Sequence, residues 1–110
     1  MAEDEMNKYG AKKTVVDGIT FDSKHEAEVW CELKLMQRAG IIRDLERQVK
    51  YELIPKTDKF RATVYIADFR YFDCETERTV VMDAKGVRTK EYLLKKKLMY
   101  WRYGIEVKEV

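Results

Sequence analysis

The sequence is short of the residues that most small catalytic sites draw on. Of its 110 residues one is histidine, His25, two are cysteine, Cys31 and Cys74, and one is proline. A single imidazole excludes HExxH metalloproteases, three-histidine zinc sites and HNH-type nucleases, each of which needs at least two. Two cysteines exclude a four-thiolate zinc site and a disulfide framework, and are expected to be buried or half-buried free thiols in a reducing cytoplasm. No stretch approaches the roughly 18 consecutive apolar residues that span a bilayer, so no membrane partner is expected. The acidic residues 1–6 lack the apolar centre of a signal peptide. No GxxxxGK[ST] loop is present to cradle a nucleotide triphosphate. Carboxylate, lysine and hydroxyl chemistry is what these absences leave.

Charge, by contrast, is plentiful, with 22 Lys+Arg against 20 Asp+Glu and a formal net charge of +2. It is unevenly spread. Residues 85–102 hold Lys85, Arg88, Lys90, Lys95, Lys96, Lys97 and Arg102 against Glu91 alone, so this segment carries +6 and the remainder of the chain −4. The length suits one domain. Residues 1–12 are polar and aperiodic and are expected to be a flexible tail, with a single domain over residues 13–110.

Thr14-Val15-Val16 and Ile19-Thr20-Phe21 flank Asp17-Gly18, a dipeptide suited to a type I′ turn, and predict a small hairpin. Ser23-Lys24-His25-Glu26 has the form of a capping box and Gly40 that of a helix stop, predicting a helix over about residues 24–39. At 100° per residue, Val29, Trp30, Leu33 and Met36 form its apolar face with Glu26 in the middle, while Glu28 points away. A carboxylate centred on a buried stripe is costly unless it is paired, protonated or bound to a metal. Strands are expected over residues 48–54, 63–73 and 79–85. A second helix is expected to start at the N-cap Thr89 and stop at Gly104, followed by a last strand over residues 105–110. Trp30 and Trp101 are expected in the core.

Period-two geometry sends Asp83 and Lys85 to one face of their strand. If residues 63–73 and 79–85 pair through a four-residue loop, Asp68 lies opposite Asp83 or Lys85. With Glu26 from the helix, three carboxylates and one lysine can converge. Two carboxylates about 4 Å apart repel by roughly 4 kcal/mol at an effective dielectric near 20. A divalent cation relieves this, and oxygen ligands from Glu26, Asp68, Asp83 and the Ala84 carbonyl suit Mg²⁺, with Mn²⁺ able to substitute. Such a metal activates water toward a phosphodiester, with Lys85 offsetting charge on the phosphorus oxygens.

These residues resemble the PD-(D/E)XK nuclease superfamily, whose core runs α-β-β-β-α-β. Asp68 matches its first acid, Asp83-Ala84-Lys85 its (D/E)-x-K, and Glu26 its helical acid; Ala67 stands where the superfamily's name has proline. The segments Asp17-Gly18-Ile19-Thr20-Phe21-Asp22-Ser23, Tyr65-Ile66-Ala67-Asp68-Phe69 and Asp83-Ala84-Lys85-Gly86, with Gln48 and residues 92–97, resemble a small phage-encoded branch. The resemblance implies an α/β (α+β), restriction-endonuclease-like fold: a mixed central sheet flanked by helices, here with an N-terminal hairpin. It also implies a metal-dependent endodeoxyribonuclease acting in phage recombination or replication in the host cytoplasm, with Glu26, Asp68, Asp83 and Lys85 catalytic.

A basic stripe beside an acidic metal site suits a polyanion, so DNA is the expected partner, with Arg88, Lys90, Lys95, Lys96 and Lys97 as candidate phosphate contacts. Lys95 can instead pair with Glu91 one turn earlier. Gln48, on the first core strand, resembles a glutamine near the metal site of related nucleases. Since the core consumes the chain, recognition of branched DNA such as a Holliday junction is expected rather than of a long base sequence. Symmetric cutting of two strands would require a homodimer. The alternative is a non-catalytic nucleic-acid-binding module on the same fold.

Overall fold

Asp17 and Gly18 both take positive φ, 53° and 74°. This is the conformation a type I′ turn demands. It joins β1 (Thr14–Val16) to β2 (Ile19–Phe21) as the expected antiparallel hairpin. The computed structural model describes residues 13–84 and 88–110; the expected tail over residues 1–12, and Lys85, lie outside the described residues.

After the hairpin come α1 (Lys24–Arg38), β3 (Ile42–Ile54), β4 (Thr63–Asp73), β5 (Arg78–Asp83), α2 (Lys90–Tyr103) and β6 (Lys108–Glu109). Ser23 caps α1 by accepting from the Glu26 amide, and Thr89 caps α2 by accepting from the Tyr92 amide. Each satisfies an amide that the first turn leaves orphaned, worth about 1 kcal/mol. Gly104 ends α2 in the left-handed conformation at φ 67°.

The four long-range strands form one mixed sheet in the order β3-β4-β5-β6, antiparallel except that β6 runs parallel to β5. The expected α+β class and element order therefore hold. Two apolar clusters stabilise it. Phe21, Trp30, Leu33, Phe69 and Met82 belong to the one under α1. Leu53, Tyr65, Ala67, Val81, Tyr92 and Met99 belong to the one under α2. Val81 and Met82 are consecutive in a strand and sit in different clusters, so the helices cover opposite faces of the sheet.

Four expectations need correction. Trp101 is 76% exposed rather than core, because Tyr92 and Met99 define the buried side of α2 and Trp101 lies about 200° around from Met99. Cys31 and Cys74 are exposed, Cys31 on the outer side of α1 and Cys74 in the β4–β5 loop. β3 starts at Ile42 rather than Gln48; a bulge between Arg43 and Glu46, with Asp44 at φ 56°, breaks the alternation that would have marked it. The closing strand is only Lys108–Glu109.

Candidate functional site

The alternation of β4 changes face in mid-strand. Tyr65 and Ala67 pack in the α2 cluster, whereas Phe69 and Tyr71 pack in the α1 cluster. An unbroken strand would point all four the same way. β3 changes face beside it: the Arg47 guanidinium lies over the Phe21 ring of the α1 cluster at 4.6 Å, while Leu53 belongs to the α2 cluster. The turning points are Asp68 in β4 and Gln48 in β3. Gln48 has φ 51°, which costs a non-glycine residue roughly 1–2 kcal/mol. Backbone strain of this kind persists where the surroundings enforce it, and it concentrates at functional sites.

Two of the proposed acids, Glu26 and Asp68, lie beside this point. Asp73 pairs with Arg78 across a four-residue loop and Phe69 pairs with Met82, so Asp68 and Asp83 each lie one residue beyond the last paired positions. The Ala84 amide donates to Asp68 Oδ2 at 2.9 Å. From α1, the Glu26 carboxylate is buried and accepts from the Asp22 amide and from Gln48 Nε2, both at 3.4 Å. Burial raises the Glu26 pKa above its ordinary value and the charge of Asp68 raises it further, while the hydrogen bond from the Asp22 amide and, more weakly, Arg47 oppose. Asp83 is fully buried, and Tyr65 Oη donates to its Oδ2 at 2.5 Å. Burial, then the bond to Asp83, pushes the Tyr65 phenol far above its ordinary range.

Glu26 thus approaches from the α1 side and Asp83 from the α2 side, each carboxylate held by neutral N–H or O–H donors. Among the described residues, no three His, Cys, Asp or Glu side chains are drawn tightly enough together to hold a metal ion. As a donor set, these hard carboxylate oxygens, two of them buried and one pair mutually repelling, fit Mg²⁺ or Mn²⁺.

The basic helix is divided. Lys95 pairs with Glu91 at 3.1 Å, as its spacing allowed. Arg88 and Lys96 both pair with Glu109, at 3.2 and 2.7 Å, and Tyr92 Oη donates to the same carboxylate at 2.9 Å. Those contacts hold the Glu109 pKa below its ordinary value. Lys90 and Lys97 are exposed. His25, also exposed, lies with Nε2 3.0 Å from the Val110 carbonyl oxygen.

Sequence reasoning missed Tyr65 and Glu109. Under regular alternation Tyr65 reads as core; only the change of face brings its hydroxyl to Asp83. Among the described residues, no helix is long and apolar enough to cross a membrane. Neither the curated proteins nor the solved structures yield a match. A family model described as a protein of unknown function (DUF1064) matches residues 6–109, nearly the whole chain, and the protein belongs to that family.

Proposed function

We propose that the protein is a Mg²⁺-dependent endodeoxyribonuclease that hydrolyses phosphodiester bonds in branched DNA, acting in phage recombination or replication within the host cytoplasm. What supports this reading is that Gln48, at the strained turning point, reaches Glu26, whose carboxyl also feels the charge of Asp68, while the Ala84 amide, next to the buried Asp83, binds Asp68.

Glu26, Asp68, Asp83 and the Ala84 carbonyl would hold the cation, which supplies an activated water and neutralises charge at the phosphate. Gln48 orients the Glu26 carboxylate and Tyr65 that of Asp83. Lys85 follows Ala84 directly and would stabilise charge on the phosphorus oxygens. Lys90 and Lys97 offer phosphate contacts immediately; Arg88 and Lys96 would exchange Glu109 for phosphate, and Lys95 would exchange Glu91.

Purified protein, Asp83→Ala and Lys85→Ala are to be incubated with linear, flapped, forked and four-way-junction DNA and Mg²⁺ or Mn²⁺. Metal-dependent cleavage by the parent, lost in both variants while DNA binding persists, is the expected result. Retained cleavage in both variants would refute the assignment. Binding with neither metal uptake nor nicking of any DNA would establish the non-catalytic binding module instead.

A further inference from the structure

Beyond Asp83, the last residue of β5, β3 and β4 continue as a paired arm. Among the described residues, β4 residues 63–67 pair with β3 and none pairs with β5. The arm is braced underneath by α2: Arg102 Nη1 donates to the Leu53 carbonyl at 3.0 Å, Tyr103 Oη to the Glu52 carbonyl at 2.5 Å, and the Tyr51 and Tyr103 rings meet edge-on at 5.6 Å. At its tip the loop over residues 55–62 is folded around Thr57. The Thr57 amide donates to the Phe60 carbonyl at 2.9 Å, and Thr57 Oγ1 accepts from the Lys59 and Phe60 amides at 3.2 and 3.0 Å.

That ordered turn holds Phe60 out in solvent, 75% exposed. Lys56, Lys59 and Arg61 surround it against Asp58 alone, all exposed, and among the described residues none of the three cations forms an ion pair. A large ring fixed in water and ringed by unpaired positive charge suits a polyanion with an accessible π-face. The tip stands at the end of the sheet toward which β5 leads from the acidic site. Five residues of strand separate Asp68 from Thr63, about 17 Å.

Resting on the nuclease reading, we propose that Phe60 is a stacking wedge that inserts at an unpaired or unstacked base step of branched DNA, while Lys56, Lys59 and Arg61 hold the flanking phosphates. Wedges of this kind trade unstacking for ring contact. They therefore favour DNA whose bases are already unstacked, which gives a one-domain protein a means of choosing branches without reading sequence.

The test measures binding by fluorescence anisotropy to four-way-junction, flapped and linear duplex DNA, with metal withheld by EDTA, for the full chain, Phe60→Ala and Lys59→Gln. A fluorescent adenine analogue is placed at the branch. Phe60→Ala should lose about tenfold in affinity for branched forms, stay within about twofold on linear duplex, and abolish the change in analogue emission. Lys59→Gln should weaken all forms alike and lower the salt dependence. Equal affinities of Phe60→Ala and parent for branched DNA, or an equal loss on every form, would overturn the wedge. So would a concentration-dependent dimer that Phe60→Ala abolishes while DNA binding stays intact, since Phe60 would then contact a second copy. If the parent cuts no DNA yet shows the Phe60-dependent branch preference, the nuclease reading fails and the wedge stands. If the parent cuts branched DNA and Phe60→Ala binds it equally well, the wedge alone fails.

Discussion

Tyr65 donates its hydroxyl hydrogen bond to Asp83 across two adjacent strands, from a side chain 3% exposed to one that is fully buried. A buried carboxylate with a fixed donor on one oxygen has its plane set by the fold. Tyr65→Phe keeps the ring against Tyr92, 6.4 Å away between centroids, and removes only that donor. Partners that orient a ligand from behind typically contribute 10–100-fold in metal affinity or activity. The expected result is a loss of that order in Mn²⁺ affinity by calorimetry, with a parallel loss in single-turnover cleavage. Unchanged Mn²⁺ affinity would reduce the hydroxyl to a tie between β4 and β5.

Glu26 gives a pH dependence. Its pKa is raised in the fold by burial and by Asp68, so the folded state holds its proton to higher pH than the unfolded chain does. The stabilisation this contributes is fully present below the unfolded value near 4.5 and is lost as pH rises through the folded value. Glu26→Gln, which cannot ionise, should therefore be more stable than the parent at pH 7, by a few degrees in Tm, and should lose that advantage below pH 4.5. Thermal melts at the two pH values decide this. Added Mn²⁺ should raise the Tm of the parent and not that of the variant.

Gln48 is a site where stability and activity should separate. Glycine adopts φ near 51° without the Cβ penalty but loses the amide that reaches Glu26 at 3.4 Å. Gln48→Gly is expected to be no less stable than the parent, gaining up to about 1 kcal/mol in urea unfolding, and to cleave more slowly. Wild-type cleavage with a lower urea midpoint would show that the strain serves folding alone.

The two tryptophans should behave oppositely. Trp30 is 8% exposed, lies between the Phe21 and Phe69 rings at 6.0 and 6.2 Å, and donates to Asp17 Oδ2 at 3.3 Å. Trp30→Ala should cost about 3–5 kcal/mol, a large share of the stability of a domain this size. Trp101→Ala, on the open side of α2, should change it by less than about 0.5 kcal/mol. Denaturant midpoints report both.

Local signals carried most of the secondary structure. Asp17-Gly18, Ser23 with Glu26, and Thr89 with Gly104 act within four residues or at a single helix end, and α2 runs from Lys90 to Tyr103 as its cap and stop predicted. The strand over residues 63–73 was equally plain, being a long run dominated by β-branched and aromatic residues. β3 was legible only past its bulge, since period two has no meaning across an inserted residue.

The chemistry available was legible from composition and spacing: carboxylates, a lysine, a basic helix and too few imidazoles for the common histidine sites. The place of Glu26 on the apolar side of α1 was legible too, because helical spacing is a local property. Which groups meet those acids follows from packing between distant segments. Gln48 reaches Glu26 from 22 positions away and Tyr65 reaches Asp83 from 18. Both contacts depend on two neighbouring strands changing face together, a property of the pair that neither strand encodes alone. Charge was likewise divided by packing, since the β5–β6 pairing brings Glu109 beside Arg88 and Lys96 and leaves Lys90 and Lys97 facing water.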